Sequence, residues 1–167
     1  AVTDIKTENG GIYAVGTTRG TIRTNYVINA AGLFCDEIAG MAGEGGDFVV
    51  KPRKGQFFIL DRNTECRTSH IIYPIPTPET RGKLLLQTVH GNMLLGPTAE
   101  DLEDKEDHGV TADELEGVWR DCRRLVPNIQ VKDAITQYCG LRPNRIPAGY
   151  HIGFGERTRG YFGISGV

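Results

Sequence analysis

Only one stretch of this 167-residue chain carries a sustained helical period, and the rest is cut into short apolar runs by glycine, proline and asparagine. In that stretch, Leu115, Val118, Trp119, Cys122 and Leu125 recur on one face, Thr111 and Glu114 have capping-box spacing, and Pro127 marks the stop. Asp113, Glu114 and Glu116 near its start, with Arg120, Arg123 and Arg124 near its end, suit the helix dipole and read as structural charges. One good helix among many short strands predicts an α+β fold.

The strands are expected in two blocks. Val2 to Thr7, Ile12 to Thr17 and Thr21 to Asn29 read as a β-meander, with turns at Asn9-Gly10-Gly11 and Arg19-Gly20. Tyr26-Val27-Ile28 is uniformly apolar, as a strand covered on both faces would be. Asn29-Ala30-Ala31-Gly32 then leads into a short helix with Phe34, Ile38 and Met41 on one side. Small residues at such a strand-to-helix junction let a ligand approach the backbone. After a loop at Gly43 to Gly46 come strands Gln56 to Asp61, His70 to Ile75, Lys83 to Val89 and Asn92 to Leu95, with His90-Gly91 closing a hairpin and Pro74, Pro76 and Pro78 ending the second strand. Glu100 to Asp107, six acids and one lysine, reads as a solvated loop. Ala134 to Cys139, Gly149 to Gly155 and Tyr161 to Ile164 read as the last strands. The chain starts inside one strand pattern and stops inside another, as part of something longer would.

A net charge of -2 and a pI near 6.1 give no basic field for nucleic acid or an anionic membrane, so a small-molecule partner is expected. No apolar run approaches the roughly 20 residues needed to span a bilayer. Cys35, Cys66, Cys122 and Cys139 lie far apart without a C-x-x-C pair, which suits reduced thiols in a cytoplasmic protein and no metal site. Gly153-Phe154-Gly155 lacks the third glycine of a dinucleotide fingerprint, there is no P-loop, and neither Ser69 nor Ser165 sits in a nucleophile elbow.

Four phrases occur in order: Tyr26-Val27-Ile28-Asn29-Ala30-Ala31-Gly32-Leu33, Lys51-Pro52-Arg53-Lys54-Gly55-Gln56, Thr88-Val89-His90-Gly91-Asn92-Met93-Leu94-Leu95-Gly96-Pro97-Thr98, and Gly140-Leu141-Arg142-Pro143. Together they resemble the FAD-dependent D-amino-acid-oxidase superfamily, in the branch of glycerol-3-phosphate dehydrogenases and L-2-hydroxyglutarate oxidases. The resemblance implies part of a Rossmann-type FAD domain at 1–45 (meander, strand and helix), a mixed-sheet substrate domain with a flanking helix at 46–145, and a return toward the FAD domain at 146–167. It also implies FAD as cofactor in the parent. The βαβ unit bearing the glycine fingerprint has no counterpart here, so the piece alone is expected to be inactive.

The resemblance places Ala30, Ala31 and Gly32 against the cofactor, where a plain strand-helix junction is the alternative. Arg53, Lys54 and Gly55 would lie near the flavin, or the two basic side chains in a solvated turn. Gly96 and Thr98, flanking Pro97, would line the same cavity or form an ordinary turn. Arg142 would grip the substrate's anionic group, since guanidinium forks onto carboxylate or phosphate; a structural ion pair is its alternative. His90 would take the hydroxyl proton of an alcohol substrate, or stand in solvent as a turn histidine. The expected activity is oxidation of a small anionic 2-hydroxy compound, glycerol 3-phosphate first and L-2-hydroxyglutarate second. An amino-acid or amine oxidase and a non-catalytic binding module are the rivals. The electron acceptor and any peripheral membrane contact of the parent are left open.

Overall fold

The computed structural model describes residues 1–77 and 82–166. In chain order these form β1 (Val2–Glu8), β2 (Ile12–Thr17), β3 (Gly20–Thr24), β4 (Val27–Asn29), α1 (Cys35–Met41), β5 (Val49–Leu60), β6 (Leu84–Gln87) and β7 (Met93–Gly96). There follow β8 (Glu100–Asp101), α2 (Ala112–Leu125), β9 (Ala134–Ile146), β10 (His151–Phe154) and β11 (Tyr161–Ser165). The chain divides into two compact units, the first made of residues 1–52, 103–105 and those from 143 onward, the second of 53–102 and 106–142. The fold is α+β. None of its helices, among the described residues, is long and apolar enough to cross a membrane.

In the first unit β1, β2 and β3 form the expected meander, and β11 runs parallel to β4 and antiparallel to β10 in a mixed sheet. Ile5 and Tyr13 from the meander, Ala39 and Ala42 from the α1 region and Tyr161 from β11 make its core. Two expectations fail here. Tyr26 and Ile28 are 69 % and 71 % exposed, because β4 ends its sheet and only Val27 turns toward the core. In α1 the buried residues are Cys35 and Ala39, while Phe34 and Met41 are exposed, since small side chains let the short helix lie close to the sheet.

Glu44 ties this unit together. It accepts the backbone N–H groups of Glu156 (3.1 Å) and Arg157 (2.9 Å), that of Thr158, and the Thr158 hydroxyl at 2.6 Å. Partial burial pushes its carboxyl up, but these hydrogen bonds, led by the Thr158 hydroxyl, outweigh it and hold the group below its ordinary range. A folded-state pKa below the unfolded one means that the stabilisation exists above the carboxylate range and disappears as pH falls through the folded value. Glu44→Gln should therefore lower Tm at pH 7, with the gap to the parent closing as pH falls below the carboxylate range; a gap independent of pH in thermal melts would contradict this.

In the second unit the sheet runs β6-β7-β5-β8, with β9 also paired to β5. Leu60, Leu85, Met93 and Leu95 pack against Val118, Trp119 and Cys122 of α2, and Phe58 meets Trp119 edge-on at 5.6 Å. The helix lies as expected, but Thr111 makes no side-chain cap; its own N–H donates instead to Gln56 Oε1 at 2.8 Å. His70 to Ile75 is not a strand: Ile72 alone bridges to Leu85, and the flanking Pro74 and Pro76 cannot donate to a ladder. Pro78 lies outside the described residues. The stretch 100–107 is not simply a solvated loop either. Glu100 and Asp101 pair as β8 with Lys54 and Arg53, so basic residues elsewhere recruit these acids, while Lys105 of the same stretch belongs to the first unit and bridges Asp36 (2.7 Å) and Glu37 (2.9 Å) there.

Candidate active site

Side chains alternate across a strand, so Arg53, Gly55 and Phe57 share one face of β5, and Lys54, Gln56 and Phe58 share the other. Tyr138, Gly140 and Arg142 likewise share a face of β9. Contacts show that these two odd-and-even sets lie together: Phe57 stacks on Tyr138 at 5.1 Å, and a side chain at Gly55 would sit 3.6 Å from Arg142 Nη2. The missing side chain at position 55 is thus a slot over which the Arg142 guanidinium lies. A Cβ there would also come within 2.9 Å of Pro97 Cβ, so glycine is required by close approach.

Thr98 fixes the far side of the slot. Its Oγ1 accepts from Gln56 N at 3.0 Å, its N–H donates to Gln56 O at 3.2 Å, and its carbonyl receives Arg142 Nη2 at a loose 3.5 Å. Gly96, with φ +132°, lets the chain turn here; a Cβ on it would meet Gln56 O at 2.7 Å. Among the described residues no carboxylate lies within ion-pair distance of Arg142. Arg142 is exposed, and the desolvation of its partly covered guanidinium lowers its pKa, the neighbouring Arg53 guanidinium lowers it further, and Asp101 partly opposes both; an arginine so placed still carries its charge. Arg53 itself is paired, its Nη1 3.0 Å from both oxygens of Asp101.

Lys54 goes the other way. Its side chain is 3 % exposed and bonds Asp107 at 2.9 Å, with Glu100 at 3.9 Å, on the face opposite Arg142. The hydrogen bond that Lys54 donates to Asp107 raises the lysine pKa against the desolvation of burial, and the same bond lowers that of Asp107. The solvated-turn reading of Arg53 and Lys54 is therefore excluded: both lie inside β5. His90 is exposed in the β6–β7 turn. β7 separates it from Gly96, and a rise of about 3.3 Å per residue sets roughly 10 Å between them along that strand alone. Among the described residues Arg142 bonds the Thr98 carbonyl and not His90.

In the first unit Ala30, Ala31 and Gly32 form an exposed turn at the carboxyl end of β4. Gly32 has φ +57° and nothing within 4 Å of where a Cβ would stand, so the backbone is open to a ligand. The turn is set by Asn29, buried, whose Oδ1 accepts Ala31 N (3.2 Å) and whose Nδ2 donates to Cys35 O and Tyr161 Oη (both 2.7 Å). Sequence reading missed Asn29 as the organiser; its signal was one amide at the end of an apolar run.

A family model for FAD-dependent oxidoreductases (DAO) matches residues 1–167. The chain belongs to that family. It is 33% identical over 166 residues to a glycerol 3-phosphate dehydrogenase of Caloramator mitchellensis, covering 99% of this chain and 34% of that protein. It is 31% identical to an L-2-hydroxyglutarate dehydrogenase of Escherichia coli (strain K12), over 57% of this chain and 21% of that protein. A solved L-alpha-glycerophosphate oxidase from Mycoplasma pneumoniae, in its dithionite-reduced form with FAD bound, superposes with a TM-score of 0.89 at 26% identity, over 99% of this chain and 44% of that one. The family member described here thus spans about a third of the curated dehydrogenase it matches.

Proposed function

We propose that this family member is the substrate-side portion of a flavoenzyme oxidising a small anionic 2-hydroxy compound, with glycerol 3-phosphate favoured. The unpaired Arg142 guanidinium, laid over the Gly55 slot, carries this reading. A fixed positive fork with no carboxylate partner is suited to a phosphate or carboxylate on the substrate. Thr98 and Gly55 orient that fork, and the stacked Phe57 and Tyr138 offer apolar surface on the same sheet face to limit water. In the first unit the open backbone of Ala30, Ala31 and Gly32 fits a bulky cofactor, and we assign it to FAD. Bound FAD would supply hydride acceptance. Lys54 acts in support of the fold through Asp107, and His90 takes no part in the clamp. The first unit then corresponds to part of the FAD domain and the second to the substrate domain.

The second reading, L-2-hydroxyglutarate as substrate, is favoured by the dehydrogenase of that name among the relatives. Anaerobic addition of each compound to the intact flavin-loaded protein separates them. Glycerol 3-phosphate should bleach the flavin absorbance at a lower concentration than L-2-hydroxyglutarate or an amino acid. Bleaching by an amino acid alone, or by none of the three, would end this reading.

A further inference from the structure

The first unit also contains a cavity of about 260 Å³ that the clamp does not use. Its floor is kept clear by glycine. Gly153 and Gly163 pair across β10 and β11, and Gly163 pairs in turn with Asn29 of β4. Strand alternation puts His151, Tyr161 and Ser165 on the same side as these glycines. A Cβ on Gly163 would lie 3.3 Å from the Tyr161 ring and 3.5 Å from the His151 ring, so any side chain there would invade the space. Cys35 and Ala39 of α1 form a wall. Phe48 forms another, with the Arg145 guanidinium 4.9 Å from its ring centre.

The groups around this space have donors to spare. Ser165 is 5 % exposed and its Oγ has no partner. Arg145 gives Nη1 to the Pro147 carbonyl at 2.6 Å, while its Nε is buried and unbonded. What is left is the Nε–Nη2 edge, the same edge by which Arg23 grips Glu8 at 3.0 and 3.2 Å. Tyr161 Oη accepts from Asn29, which leaves its proton to donate elsewhere. Of the three acids along the wall, Asp47 is matched by Arg157 at 2.8 Å and Glu44 by the donors named above, while Glu156 contributes only its backbone N–H, to Glu44. Buried donors without acceptors are costly, and a ligand that supplies oxygens relieves the cost.

We propose that this cavity binds a small planar carboxylate, held side-on by the Nε–Nη2 edge of Arg145 with Ser165 Oγ as a further donor. Planarity matches the guanidinium fork. A dianion such as phosphate is disfavoured, because Glu44, Asp47 and Glu156 line the same cavity and Arg145 is the one arginine there, among the described residues, outside an ion pair. The inference does not depend on the substrate assigned to Arg142.

Isotopically labelled acetate, titrated into the intact protein at constant ionic strength and followed by line broadening of its carboxyl resonance, tests the site. Saturable broadening is expected, weakened about tenfold in Ser165→Ala and lost in Arg145→Gln. Arg145→Lys, which keeps the charge without the fork, should also lose most of it and serves if the glutamine variant does not fold. Broadening that never saturates, or that is unchanged in Ser165→Ala and Arg145→Lys, overturns the proposal. Displacement by inorganic phosphate at concentrations below those of acetate overturns the carboxylate assignment.

Discussion

On the proposed function, Arg142→Ala in the intact enzyme should raise KM for the anionic substrate by about 100-fold, with kcat reduced far less. A hydrogen bond to a charged group contributes about 1.5–3 kcal/mol, and each 1.4 kcal/mol is roughly a factor of ten. A bidentate fork therefore accounts for one to two orders of magnitude, expressed in KM if the anion is gripped equally in ground and transition states. Arg142→Lys restores the charge but not the fork and should recover only part of the loss. The fold should hardly notice. Arg142 is exposed and its one protein bond, to the Thr98 carbonyl, is a loose 3.5 Å. Steady-state kinetics on the two variants, with thermal melts as control, check the prediction; an unchanged KM, or a melt that collapses with it, would remove Arg142 from the substrate.

Trp119→Ala has the largest expected effect on stability. The indole lies in the core formed by Leu60, Leu85, Met93 and Leu95, edge-on to Phe58, with the Arg123 guanidinium 5.4 Å from its ring centre. Truncating a buried tryptophan costs about 3–5 kcal/mol, and the loss of the aromatic pair is included in that range. For a chain of this size the fall in Tm should be about 6–20 °C. Trp119→Phe keeps most of the area and should recover more than half of it. A loss below about 1 kcal/mol in denaturant titration would mean that α2 is not the element that closes the second unit's core.

What could be read from the sequence follows from how local each signal is. The meander was visible because its turns and alternation lie within a few residues, and α2 because five apolar positions repeat on one face. The acids of 100–107 were misread because their partners, Lys51, Arg53 and Lys54, are far away in the chain. A charge run looks solvated until the fold supplies its counter-ions. The opposite orientations of Arg53 and Lys54 were implicit in strand alternation but needed the strand itself, since a solvated turn stood open as the alternative for the two basic side chains. The slot at Gly55 was invisible for a related reason: a glycine in sequence does not say which distant side chain takes its space.

Tyr26 and Ile28 have one further consequence, for handling the polypeptide. A terminal strand bearing bare aromatic and aliphatic groups in water is a surface to which other chains adhere. Preparations of these residues by themselves should therefore scatter light and pellet as concentration rises, and solubilising changes at those two positions would be the first remedy.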